Sequence, residues 1–117
     1  MRNFNINEFD SPDVKGSGAK MNSCFLEMLD NARDIAGIPF SINSGYRTLE
    51  QNSKVGGVNS SSHTRGLAVD IACKESRARF LIVSALKEAG FTRIGISDSF
   101  IHVDSDSDKA QDVIWTY

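Results

Sequence analysis

The chain predicts an α+β domain, with helices packed on one side of a small antiparallel sheet. Two stretches repeat apolar residues at three- and four-residue steps, short runs between them read as strands, and turn-forming residues separate the two kinds. In order they read helix, strand, loop, strand, helix, hairpin. A length of 117 residues allows one hydrophobic core and leaves too little chain for a second.

Residues 1–20 contain Asp10-Ser11-Pro12-Asp13 and Gly16-Ser17-Gly18, which favour turns and predict an extended N-terminal arm. Phe4, Ile6 and Phe9 would tack this arm onto the surface of a domain formed by residues 21–117. A helix is expected from about Asn22, its apolar stripe made by Phe25, Met28, Leu29, Ala32, Ile35 and Ala36. Gly37 suits the position after its last turn, and Pro39 prevents continuation. A strand over Phe40–Asn43 follows, then the turn Ser44-Gly45-Tyr46-Arg47-Thr48 into a short helix. There Thr48 and Gln51 have the spacing of a capping box.

The loop Val55 to Ser62, rich in Gly and Ser, delivers His63 to a strand over Leu67–Ala72. Ser76 is the expected cap of a second long helix, with Phe80, Val83 and Leu86 inward and Gly90 at its end. Arg93–Ile96 and Phe100–Asp104 form the hairpin. The tail carries Asp104, Asp106, Asp108 and Asp112, read as a solvated acidic turn because the loop glycine and distal Glu of an EF-hand are missing. The rings of Trp115 and Tyr117 are expected to dock on the body.

Composition narrows the function. A net charge of −2 without any long Lys/Arg run argues against nucleic acid and anionic membranes as partners. No apolar stretch approaches the ~20 residues of a membrane span, so no membrane insertion is expected. Met1 to Ile6 lacks the apolar core of a secretory leader, which predicts a cytoplasmic protein without a signal peptide. Cys24, on the inner face of the first helix, and Cys73 are expected to be free thiols.

Only two histidines occur, and each stands near a carboxylate and a strand-like run. Side chains alternate along strands, so His102 and Asp104 share one face of their strand, and Ala68 and Asp70 share one face of theirs. If the two strands are neighbours, Asp70 and His102 converge, and His63 reaches the same point from its loop. Two imidazoles and one carboxylate suit zinc better than magnesium or calcium, which prefer oxygen shells. Three ligands also leave a fourth tetrahedral position for water, as in catalytic rather than structural sites.

Several segments together carry a family resemblance: Ser44-Gly45-Tyr46-Arg47-Thr48, Gly56-Gly57, Ser61 through Ile71 with the pattern S-x-H-x-x-G-x-A-x-D, and Phe100-Ile101-His102-Val103-Asp104. In these the chain resembles the zinc D-Ala-D-Ala carboxypeptidase family, in the short form common in bacteriophage genomes, which shares its fold with hedgehog-type proteins. The resemblance implies one Zn²⁺ per chain held by His63, Asp70 and His102. It implies hydrolysis of bonds involving D-amino acids in peptidoglycan stem peptides, by carboxypeptidase or endopeptidase action, in an endolysin-like protein. A monomer, cytoplasmic until released to the cell wall, is the corresponding expectation.

By the same resemblance Arg47 is the cation that meets the substrate's carboxylate or the developing oxyanion. Relatives place Glu or Asp three residues before the last histidine, where this chain has Ser99. Asp104 and Asp98 compete for the role of general base. Asp104 is favoured because it shares the face of His102, though either could instead accept a hydrogen bond from a ligand histidine. Tyr46, Ser61 and Ser62 are expected to line the cleft, Tyr46 either bonding substrate or packing, and Gly66 is expected to allow close approach beside the metal. Two alternatives stand beside the enzyme: a zinc-bearing but non-hydrolytic module that recognises peptide, and a structural phage protein with no metal.

Overall fold

In the computed structural model, which describes residues 1–117, helix α1 (Ser23–Ala36) starts where the Asn22 side-chain oxygen accepts the Phe25 N–H at 2.9 Å. That cap satisfies one of the free amides of the first turn. Gly37, with φ at 71°, ends the helix. The helix buries Phe25, Leu26, Leu29, Asp30 and Ala32, a stripe turned towards Leu26 from the expected one. Ile35 and Cys24 are therefore exposed, which corrects the inward reading of both.

The short helix α2 (Leu49–Lys54) has the expected cap, the Thr48 hydroxyl accepting the Gln51 N–H. Helix α3 (Ser76–Glu88) buries Ile82, Ala85 and Leu86. Phe80, expected inside, is 70% exposed, because the inward stripe runs through Ile82 and Ala85. Ser76 is the first helical residue rather than the cap; Glu75 holds that position without a side-chain bond.

Five strands make the sheet: β1 (Ile42–Ser44), β2 (Ala68–Ala72), β3 (Arg93–Ile96), β4 (Phe100–Asp104) and β5 (Val113–Thr116), in the order β1-β2-β4-β3-β5. Helices α1 and α3 pack on one face and form the core with Val69, Ile71, Ile94, Ile101 and Val103. The α+β class holds, but the sheet is mixed rather than antiparallel, because β5 runs parallel to β3. The cause is topological. Strand β4 ends level with the start of β3, and residues 105–112 carry the chain past that end. The Val113 N–H then bonds the Thr92 carbonyl at 3.0 Å, and Val113 to Thr116 pair in step with Arg93 to Ile96.

The N-terminal segment is not an extended arm. It forms two 3₁₀ turns, Ile6–Phe9 and Ser17–Lys20. Phe9 is 0% exposed in the core, its ring 5.4 Å from that of Phe4, while Ile6 stays at the surface. The Phe9 carbonyl accepts the Tyr46 N–H at 2.9 Å, and the Ser11 hydroxyl accepts the Thr48 N–H at 3.2 Å. Residues 1–20 therefore brace the turn between β1 and α2. No helix is long and apolar enough to cross a membrane.

Candidate metal centre

The outer face of the sheet carries one row of residues across all five strands. Ser44 pairs with Asp70, Asp70 with His102, His102 with Gly95, and Gly95 with Trp115. Residues paired in this way share a face, so Asp70 and His102 meet as strand alternation requires. His63 joins them from a 3₁₀ turn, Ser62–Arg65. One ligand atom from each of His63, Asp70 and His102 lies within 4.8 Å of the others.

Hydrogen bonding orients both rings for a cation. His63 Nδ1 lies 2.8 Å from the Gly45 carbonyl, which can only accept, so Nδ1 carries the hydrogen and Nε2 is free. Nε2 is 3.4 Å from Asp70 Oδ1. His102 is turned the other way: Nε2 bonds Asp104 Oδ2 at 2.7 Å, and Nδ1 faces Asp70 Oδ1 at 2.9 Å. Each ring thus directs one nitrogen at the shared carboxylate and fixes the other on an acceptor, the arrangement of metal-ligating histidines. The donor set fits a zinc-like ion.

Electrostatics agree. Burial acts to raise the Asp70 carboxyl, but hydrogen bonds and charge from His102 and His63 hold it well below the ordinary carboxylate range. Burial acts to lower the His102 imidazole, and Asp104 and Asp70 outweigh it, so its pKa is raised. A proton shared between His102 and these carboxylates occupies the place a cation would take, so proton and metal compete. The sign follows: metal affinity should fall as pH drops below the raised His102 pKa and level off above it. Calorimetric titration with Zn²⁺ near neutral pH, in buffers of different ionisation enthalpy, should show proton release.

Arg47 stands at the edge of the cluster, Nη2 3.5 Å from Asp70 Oδ2 and Nε bonded to the Ser44 hydroxyl at 3.1 Å. Asp104 is placed otherwise than expected. It does share the face of His102, but it is 1% exposed and both its oxygens are taken. Oδ2 receives His102 Nε2; Oδ1 receives Arg93 Nε at 2.7 Å and the Asp106 N–H at 3.1 Å. The Arg93 guanidinium in turn lies 4.9 Å over the Trp115 ring. Asp104 is an acceptor behind the ligand ring rather than a carboxylate open to the cleft. Asp104→Asn is expected to weaken zinc binding roughly 10- to 100-fold, measurable by competition with a chromophoric chelator.

Asp98 is exposed in the β3–β4 turn, near the Ser97 hydroxyl at 3.3 Å. The Ser99 carbonyl bonds the Cys73 N–H, which sets this turn three residues beyond Asp70, about 10 Å along the sheet. Ser62 does not line the cleft: it is buried, its hydroxyl donating to Asp106 Oδ2 at 2.7 Å and accepting from Lys109 Nζ at 3.0 Å. Asp106 is likewise no solvated turn residue; it is fully buried and also accepts Arg65 Nη1 at 2.5 Å. Ser61 is buried as the cap of the His63 turn, its hydroxyl accepting the His63 N–H. Tyr46 is half-buried and packs on the core. Gly66, at φ 70°, approaches the Lys20 backbone instead of a metal; a Cβ there would lie 2.5 Å from the Lys20 carbonyl.

Sequence reasoning passed over Asn52 and Arg93, both of which bond site residues directly. An asparagine beside a Gly-Gly pair was the only available signal for Asn52. The family model for Peptidase M15 matches residues 3–104. The chain belongs to this family. The match begins within the N-terminal segment, consistent with that segment's place in the core of this M15 domain. M15 peptidases are of the zinc D-Ala-D-Ala carboxypeptidase type, and the His63, Asp70 and His102 cluster of this member could hold a metal. No curated protein matches the sequence.

Proposed function

We propose that this M15 domain is a zinc peptidase that hydrolyses D-amino-acid-containing bonds of peptidoglycan stem peptides. The observation that carries the reading is the convergence of His63 Nε2, His102 Nδ1 and Asp70 Oδ1, with each imidazole's other nitrogen fixed by an acceptor. Zinc, when bound there, would polarise the scissile carbonyl and lower the pKa of a water molecule. His63 and His102 would hold the ion through their free nitrogens, with Asp70 as the third ligand. Burial acts to raise the Asp104 carboxyl, but hydrogen bonds from His102, the Asp106 amide and Arg93 hold it below the ordinary range, so it keeps the hydrogen of His102 Nε2 and leaves Nδ1 available. Arg47 supplies the cation for a substrate carboxylate or an oxyanion; its planar fork can grip either. Asp98, the exposed carboxylate of the hairpin turn, lies about 10 Å along the sheet from Asp70, so proton transfer to it requires a relay through water.

The supporting experiment is incubation of purified, zinc-loaded protein with muropeptides, with and without chelator. Release of D-alanine or opening of cross-links, abolished by chelator and restored by zinc, is the expected result. One observation favours a second reading, a zinc-bearing module that binds peptide without cutting it: Ser99 stands at the usual base position and Asp104 is committed to His102. Tight peptide binding with no cleavage in any condition would establish that alternative. In the enzymatic reading the protein is phage-encoded and monomeric, held in the host cytoplasm until it is released to the wall, and used at lysis or during entry.

A further inference from the structure

Arg47 is a flexible side chain asked to point at one place, and the structure shows what holds it. Its Nη1 bonds Asn52 Oδ1 at 3.2 Å. Asn52 lies on α2, is 4% exposed, and has every side-chain group engaged in a way that fixes its direction. Its Nδ2 donates to the Val58 carbonyl at 2.8 Å, so its amide cannot flip without losing that bond and turning a donor towards Arg47. Its own carbonyl accepts the Gly57 N–H at 2.8 Å. Residue 57 must be small: a Cβ there would lie 2.0 Å from Asn52 Oδ1. The chain therefore folds the loop after α2 tightly around one buried amide whose free oxygen faces the guanidinium.

We propose that Asn52, with Gly57 packed against it, is the positioning residue for Arg47. It couples the loop over residues 55–60 to the cation of the site. Asn52 is not one of the cluster residues His63, Asp70 and His102; its bond into the site is to Arg47, through which it acts. Three contacts set the guanidinium: Ser44 at Nε, Asn52 at Nη1 and Asp70 near Nη2. Removal of the Asn52 contact leaves Arg47 free to turn towards Asp70 or solvent. A displacement of about 1 Å in such a group can cost about 100-fold in rate.

The consequence for catalysis rests on the peptidase reading above, whereas the positioning itself does not, and the test separates the two. In zinc-loaded protein labelled with ¹⁵N, the Arg47 Nε–H resonance should be slow to exchange with water. It should broaden or exchange rapidly in Asn52→Ala and in Gly57→Ala, with zinc content unchanged in both. In muropeptide hydrolysis, each variant should lose roughly 10- to 100-fold in kcat/KM, divided between kcat and KM as in Arg47→Ala. In the Arg47→Ala background, Asn52→Ala should add nothing. If wild type shows no turnover but the resonance still mobilises, the positioning stands and the peptidase reading falls. An unchanged Arg47 resonance in Asn52→Ala overturns the inference, as does a full additive loss in the Arg47→Ala background.

Discussion

Purified His63→Ala is expected to carry only background zinc after dialysis and to release no product from muropeptides, and His102→Ala should behave the same way. Each substitution removes one of the three proposed ligands, and neither neighbour can replace it. The Gly45 carbonyl that fixes His63 sits on the far side of that ring, and Asp104 sits behind His102. The loss should be several orders of magnitude in turnover and one zinc equivalent by elemental analysis. Folding should survive better at His102, since His63 is the more buried of the two. Circular dichroism before and after zinc addition checks that the variants retain their sheet. Retention of a full zinc equivalent by either variant would show that the ion is held elsewhere.

Phe9→Ala should be among the most damaging substitutions outside the metal cluster. The ring is wholly buried, and emptying such a site costs about 3–5 kcal/mol through lost transfer energy and an unfilled cavity. Against a total stability of about 5–15 kcal/mol for ordinary domains, that is a large share. The damage should extend to chemistry, because the Phe9 backbone lies under the turn bearing Gly45, Tyr46 and Arg47. Urea titration followed by tryptophan fluorescence should show a midpoint well below wild type. Ile6→Ala, on the exposed side of the same 3₁₀ turn, should stay within about 0.5 kcal/mol. Equal midpoints for Phe9→Ala and wild type would mean that the Phe9 ring does not anchor the N-terminal segment.

The elements legible in the sequence are those whose signals are local. Asn22 and Gly37 bracket α1, and Thr48 with Gln51 opens α2, because caps act within one turn. Alternation in Leu67–Ala72 and Phe100–Asp104 gives Asp70 and His102 a common face only if the two strands are neighbours, and the family resemblance, not alternation alone, supplied that pairing and His63. What stayed hidden depends on partners distant along the chain. Phe9 looks like a stray aromatic in a polar segment until β1 is folded beside it. Asp106 looks solvated until Ser62 and Arg65, more than 40 positions earlier, close over it. β5 stayed hidden because its parallel partner, β3, lies 20 positions earlier, and nothing local to Val113–Thr116 names that partner. Asp104 shows the limit of strand geometry: alternation gives a face, but only the contact with Arg93 and His102 Nε2 tells which group the carboxylate serves.

The row from Ser44 to Trp115 ties ion capture to correct strand pairing. Slipping β4 by one position against its neighbours would turn His102 and Asp104 towards α1 and α3, and expose Ile101 and Val103 instead. A misregistered chain could not assemble the cluster at all. Divalent ion uptake by this cluster would therefore be a proofreading readout, available only to molecules whose strands have aligned, and the ion would trap that alignment once it forms.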